Sequence, residues 1–341
     1  MFQPKYDLTN ELLTNITQIE RFYGQLESLK IPQKLELNLE RDNLIQSAFV
    51  SNSIEGNPLS EREVTNLLLS DRIPINRDEK EITNYFQILK DLNHLTDKPI
   101  DINLTLKIHH DLMIGVKDQI KGQIRNKRVV IGKYLSQLKT LPKLKVKHEP
   151  PHHQRNEIKK DLEKLYIWLE QEKNLPIAIK TGIFHHHFVY IHPFIDGNGR
   201  VTRLLTALVF LKSNYFINKY FVLDDYYDID RIMYSDKLHS ADSGDKTEWL
   251  EYYTKGVMYS LQAALSRVEN AIFTLKVEER PTKKERQVLE IVKERNQVTS
   301  TDIASVLKVS RQQAHNLLKA LVKKDFLKKA GKTKNSYYFL K

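Results

Sequence analysis

The sequence predicts a mainly α-helical protein: a helical body bearing one short β-hairpin, followed by a separate basic domain of three helices and a hairpin. Three observations carry that reading. Apolar side chains recur at intervals of three or four through most of the 341 residues, as one face of a helix requires. Glycine and proline are scarce, 11 of each, and fall mostly between the periodic segments. The charge is unevenly placed: residues 281–341 hold 15 Lys/Arg against 5 Asp/Glu, a net of +10, whereas the rest of the chain holds 39 against 38, a net of +1. A neutral body with a basic appendix points to a polyanionic partner for the appendix alone; the plain alternative is a solvated face.

Taken in order, helices are expected over Asn10–Leu29, Lys34–Val50, Lys80–His94, Thr105–Ile114 and Gln154–Glu172. In Ile177–Ile191, positions Ala178, Thr181, Phe184, Phe188 and Ile191 share one face. Leu204, Leu205, Leu208 and Leu211 repeat the pattern in a further helix, and Thr247–Thr274 is another. Pro74, Pro99, Pro142 and Pro150-Pro151 are the breakpoints. Gln123–Tyr134 is the exception. Its run Arg128-Val129-Val130-Ile131 before Gly132 reads as a β-hairpin turning at the glycine.

A boundary is expected near Glu278–Pro281. Beyond it come helices over 282–295, 300–306 and 310–324, then a hairpin over Phe326–Leu340 with Gly331 near its centre. Three helices followed by a hairpin resemble a winged helix-turn-helix, whose third helix enters the DNA major groove. Ser310 would cap that helix, and Arg311, Gln312, Gln313, His315 and Asn316 are residue types that reach base edges and phosphates. A winged helix serving only protein contacts or dimerisation is the alternative, and a homodimer is compatible with either. The domain scheme is thus 1–100, 101–275 and 281–341.

Composition excludes several classes. The longest apolar stretches, such as Leu204–Leu211, fall far short of the ~20 residues that cross a bilayer. Met1–Asn10 lacks the basic-then-apolar pattern of a signal peptide. There is no cysteine, hence no disulfide and no thiolate metal site. A cytoplasmic protein without a membrane partner is expected. His185-His186-His187 does not read as a metal site, because adjacent helical residues point in different directions.

Chemistry concentrates in His192-Pro193-Phe194-Ile195-Asp196-Gly197-Asn198-Gly199-Arg200-Val201-Thr202-Arg203. One helix ends before Pro193, and another begins at about Arg200, after a Gly-Asn-Gly turn. Glycines opening a helix leave unpaired N–H groups and the positive end of the dipole pointing outward, which makes an anion site. Arg200 and Arg203 lie three apart on the same side of the first turn. Asp196 offers a hard oxygen ligand for Mg²⁺. His192 offers a base that titrates near neutrality. Singly, each has an ordinary structural explanation; together they suffice for phosphoryl or nucleotidyl transfer.

The segment matches the Fic signature His-x-Phe-x-(Asp/Glu)-Gly-Asn-Gly-Arg-x-x-Arg at every specified position, and the resemblance extends over roughly residues 40–270. It implies a Fic-type helical core whose Gly122–Tyr134 is the flap. It further implies an enzyme that transfers AMP from Mg-ATP to a Ser, Thr or Tyr hydroxyl of a target protein. In that scheme His192 deprotonates the hydroxyl and Asp196 holds Mg²⁺. Gly197, Asn198 and Gly199 form the anion hole, and Arg200 and Arg203 bind the β- and γ-phosphates. Val129, Val130 and Ile131 of the flap would pair with an extended target segment. Tyr227 and Asp230 would line the nucleobase pocket.

Ser51-Asn52-Ser53-Ile54-Glu55-Gly56 resembles the family's inhibitory motif, (Ser/Thr)-x-x-x-Glu-(Gly/Asn), on a helix of about residues 40–56. Ser51 and Glu55 share a helix face, and Gly56 is a typical terminator. The resemblance implies that Glu55 pairs with Arg203 in the place of the γ-phosphate. Two other functions remain compatible with the sequence: a DNA-binding regulator whose core senses nucleotide, and an enzyme that removes AMP with Glu55 orienting a water.

Overall fold

The computed structural model describes every residue except 1, 71, 135–143, 217, 218, 220, 280 and 332–335. It divides into two compact units, Met1–Arg267 and Val268–Lys341. The division falls inside one continuous helix, Thr247–Glu279, rather than at the Glu278–Pro281 break, where that helix merely ends.

In the first unit the helices are α1 (Asn10–Ser28), α2 (Gln33–Ile54), α3 (Glu61–Leu69), α4 (Arg77–Asp91), α5 (Ile102–Met113), α6 (Arg155–Gln171), α7 (Ile177–Ile191), α8 (Asn198–Lys212), α9 (Asp224–Ile229), α10 (Arg231–Ser240) and α11 (Thr247–Glu279). Caps account for several starts: the side chains of Thr9, Ser60, Asn76 and Asp101 each accept a backbone N–H of the following first turn. α1 is amphipathic, burying Leu12, Ile19, Tyr23 and Leu26 at helical spacing. α7 and α8 are different. They are buried nearly all round, pack on each other, and form the centre of the unit. α6 packs on α7, while α2, α4 and α5 pack on α8. α11 approaches α7 at Gly182, where a Cβ would meet Leu250 and Tyr253 at 2.8 and 2.9 Å. Trp249 Nε1 donates to the Gly182 carbonyl at 2.8 Å. Each fully buried Leu or Phe here stabilises the fold by roughly 1.5–3 kcal/mol. The motif loop 192–197 therefore joins two helices that are themselves buried nearly all round.

The hairpin differs from the sequence expectation. Its strands are β1 (Ile131–Tyr134) and β2 (Leu144–His148), antiparallel, with an irregular register between Ile131 and Gly132. Gly132 lies within β1, not at a turn, and Val129 and Val130 precede the strand. The β-branched run marks the approach to the strand, because the partner comes after Pro142. The alternation of Leu144 and Val146 with Lys145 and Lys147 is the signal that locates it. α2 also runs four residues beyond Val50, to Ile54, and is terminated by Gly56, whose φ of 90° favours glycine. No helix among the described residues is long and apolar enough to cross a membrane.

The second unit contains α12 (Lys283–Arg295), α13 (Ser300–Leu307), α14 (Arg311–Lys323) and an antiparallel hairpin of β3 (Leu327–Ala330) and β4 (Tyr337–Leu340), with Val298 bridging to Tyr338. Thr282, Thr299 and Ser310 form capping boxes with Glu285, Asp302 and Gln313. Val288, Val292, Ile303, Ala314, Leu318, Leu321 and Leu327 make its separate core.

Candidate active site

The loop between α7 and α8 is fixed from several sides. His192 closes α7 in the left-handed region, φ 49°. The carbonyls at that helix end have no intrahelical partner and need donors. Arg125 supplies them: its Nε donates to the His192 carbonyl at 2.6 Å and its Nη2 to the Ile191 carbonyl at 3.2 Å. Its own N–H donates to the Pro193 carbonyl at 2.9 Å. The Asn198 side chain staples the loop internally, accepting from Phe194 N–H and donating to the Phe194 carbonyl, both at 2.9 Å. Phe194 is wholly buried and stacks on His109, ring centroids 3.7 Å apart. His109 Nδ1 accepts from Gly122 N–H at 3.0 Å, so its Nε2–H donates to the Asp196 carbonyl at 3.1 Å.

Burial, with the nearby His148 ring and Arg125, pushes the His192 pKa down to about 4. The imidazole is therefore neutral at physiological pH and can accept a proton. Asp196 accepts from Gly197 N–H at 2.6 Å and pairs with Lys117. Burial alone would raise its pKa, but Lys117 and Arg200 outweigh it, so the carboxyl titrates below its ordinary value and carries charge. Gly197, at φ 81°, provides the tight turn that starts α8 at Asn198.

The two arginines are buried and point at α2. Arg203 donates to Ser51 Oγ at 2.6 Å, the Ser51 carbonyl at 2.9 Å and Glu55 Oε1 at 2.7 Å. Glu55 Oε1 lies so close over Gly199 that a Cβ there would collide with it. A carboxylate thus rests on the N-terminus of α8, against Arg203, where an anion is electrostatically favoured. Arg200 faces Asn52 Oδ1 at 3.3 Å and Glu81 Oε2 at 3.4 Å, while its buried Nε has no hydrogen-bond acceptor among the described residues. An orphaned guanidinium N–H beside Asp196 and Gly199 fits a phosphate oxygen. The donor set suits a nucleoside polyphosphate, and Asp196 is the carboxylate placed to share a divalent ion with it.

The structure thus gathers His192, Asp196, Gly197, Gly199, Arg200 and Arg203 with Ser51, Glu55 and Gly56. Asn198 contributes through its side-chain staple. Tyr227 is not at a pocket wall: it is wholly buried, stacked on Tyr234 with centroids 4.4 Å apart. Helix α9 turns its ring into the core. Asp230 is exposed and caps α10, accepting from Met233 N–H at 2.8 Å. Val129, Val130 and Ile131 are half-buried, the two valines just before β1 and Ile131 as its first residue. Sequence reasoning missed Arg125, His109 and Lys117, and also Arg231, which donates to the Ser53 carbonyl and hydroxyl at 2.6 and 2.7 Å and so holds the end of α2. Each is a single residue whose partner lies far along the chain.

Residues 99–210 match the Fic/DOC family. Among curated relatives, the protein adenylyltransferase fic-1 of Caenorhabditis elegans is 26% identical over 228 residues, 64% of this chain and 41% of that protein. A probable protein adenylyltransferase of Aquifex aeolicus is 30% identical over 137 residues, 38% of each chain. The chain therefore spans less than half the length of these relatives. Among solved structures, a Fic family protein from Desulfovibrio desulfuricans superposes with a TM-score of 0.69 at 23% identity, covering 100% of this chain and 98% of that one. A fragment of C. elegans Fic-1 gives 0.61 at 22% identity, covering 76% and 73%. These likenesses establish the fold.

Proposed function

We infer that this chain, whose residues 99–210 form a Fic domain, is a protein adenylyltransferase restrained by its own helix α2. One observation carries the reading: a carboxylate, Glu55, rests on the α8 N-terminus against Arg203, within an otherwise complete anion site beside a neutral histidine.

His192 takes the proton of a Ser, Thr or Tyr hydroxyl on the target. The freed oxygen bonds to the α-phosphorus of ATP, the bond to the bridging oxygen breaks, and pyrophosphate departs. The α8 N-terminus and Arg200 hold the phosphates, and Arg203 takes the γ-phosphate once Glu55 leaves. Asp196 would hold Mg²⁺, which when bound neutralises phosphate charge. Lys117 must then give up its pairing with that carboxylate. Arg125 and the Asn198 staple keep His192 in place without touching substrate, so orientation and charge, not covalent chemistry by the protein, supply the rate. The edge of the hairpin is suited to an extended target segment by strand addition. Turnover by the Glu55→Gly enzyme should release pyrophosphate; release of ADP with label from the γ-position on protein would mean phosphoryl transfer instead.

The low pKa of His192 has a signed consequence. A base is active when deprotonated, so kcat/KM of Glu55→Gly should hold steady from neutral pH downward and fall only as pH drops through about 4. A limb near the ordinary imidazole value of 6.5 would show that the ring is solvated in the working enzyme.

The second unit supports an added reading as a DNA-binding winged helix. Arg311, Gln312, Gln313 and Asn316 are exposed along α14, while Ala314, Leu318 and Leu321 face the core. Duplex DNA should bind the full chain with an affinity that falls linearly in log–log against salt, and Arg311→Ala should reduce that slope by about 1. Affinity independent of salt would assign the unit to protein contacts.

A further inference from the structure

Apart from the phosphate-binding centre, one group of side chains converges on a single carboxylate. Asp242 lies in the 3-10 turn Ala241–Ser243 after α10. Its Oδ2 is 2.7 Å from His148 Nδ1, on β2, and 3.0 Å from His239 Nδ1, on α10. Its Oδ1 is 3.0 Å from His186 Nε2, on α7. The His148 and His239 rings stack with centroids 5.2 Å apart, and one donor atom from each of His148, His239 and Asp242 lies within 4.8 Å of the others.

Accounting for protons exposes a conflict. His186 Nδ1 faces the Lys246 ammonium at 2.8 Å, which can only donate, so Nδ1 accepts and Nε2–H donates to Asp242. That ring is satisfied while neutral. His148 Nε2 faces the Tyr190 carbonyl at 2.9 Å, which can only accept, so Nε2 carries the proton. In a neutral ring, Nδ1 then points a lone pair at a carboxylate oxygen. Two lone pairs at that distance repel, so a cation must bridge them: either a second proton on the line between them, or a metal ion set to one side that binds both atoms.

The surroundings favour a metal. A ligating histidine characteristically donates its other N–H to a carbonyl, and a ligating carboxylate takes an outer hydrogen bond. His148–Tyr190 and His186–Asp242 are those two contacts. The side chains of Asp242 and His239 are 21% and 13% exposed, so solvent reaches the group from one side and can complete the coordination. Two imidazoles and one carboxylate suit a borderline-soft ion such as Zn²⁺ better than Mg²⁺ or Ca²⁺, which take oxygen ligands.

We propose that His148 Nδ1, His239 Nδ1 and Asp242 form a zinc-binding site, with His186 as its outer-shell partner. The site joins β2 of the hairpin to α10. Through the Tyr190 carbonyl it also grips the end of α7 two residues before His192, so the bound ion would set the anchorage of the hairpin beside the catalytic loop. The proposal does not depend on the function proposed above. The triplet His185-His186-His187 does not itself bind: His185 turns to Thr206 and Tyr234, and His187 stacks on Phe2.

The test is calorimetric titration of zinc into the chelator-treated full chain near neutral pH. One zinc per chain is expected. His239→Ala and Asp242→Asn should each weaken it by at least about tenfold, the lower bound for losing even an outer-shell partner. Asp196→Asn, in the phosphate-binding centre, should leave it unchanged. No uptake by the wild type, unchanged affinity in either ligand variant, or loss in Asp196→Asn would overturn the proposal. Should a variant not fold, ¹⁵N spectra of the wild-type histidines decide. Zinc must move the Nδ1 signals of His148 and His239; a His148 ring that keeps both protons in excess zinc would assign the bridging cation as a proton.

Discussion

Glu55→Gly is expected to raise the rate of AMP transfer by roughly ten- to a hundredfold. ATP must displace the Glu55 carboxylate before its γ-phosphate can reach Arg203 and the α8 N-terminus. A hydrogen bond to a charged group contributes roughly 1.5–3 kcal/mol, and each 1.36 kcal/mol is about tenfold in rate. The substitution also removes the side chain that overhangs Gly199, the other face of the same site. The gain should appear in turnover more than in nucleotide affinity, because the restraint concerns where the phosphates lie. Equal turnover by the two proteins, at matched ATP and target, would mean that the Glu55–Arg203 pair is only structural.

His192→Ala, made in the Glu55→Gly background, should lower kcat by roughly 10²–10⁴, the usual contribution of a positioned general base. Nucleotide binding should survive, since the phosphate anchors belong to α8 and not to the end of α7. Arg125 bonds the main-chain carbonyls of Ile191 and His192, so the loop retains its support without the imidazole. Calorimetry with ATP separates the outcomes. Loss of turnover with binding intact assigns the proton transfer to His192, whereas joint loss of both points to a collapsed loop.

What the sequence revealed depended on locality. Residues 192–203 are contiguous, so the base, the carboxylate, the glycine turn and both arginines could be read together. Ser51 and Glu55 share one face by helical spacing alone. Arg125 and His109 are not readable, because they serve the loop from 67 and 87 positions away and resemble any other Arg or His in a polar stretch. The Asp242 cluster was invisible for the same reason: β2, α7 and α10 meet there only in three dimensions. The hairpin was misplaced because Gly132 resembles a turn, while the Leu144–His148 alternation was crowded by lysines. Tyr227 was misjudged because an aromatic near a site can equally fill the core, and its stacking on Tyr234 decides for the core. The basic C-terminal unit was easier. Ser310 is a cap that the sequence itself offers, and the structure adds Thr282 and Thr299 at the other two helix starts.

The central claim, a nucleotidyl transferase restrained by α2, is tested most directly by incubating wild type, Glu55→Gly and Glu55→Gly/His192→Ala with Mg²⁺ and ATP labelled on the α-phosphate, with and without cell lysate. Label should be faint on protein with wild type, strong with Glu55→Gly and absent with the double variant. No label in any lane, with ATP binding still measurable, would contradict the account and leave a domain that binds nucleotide without transferring it.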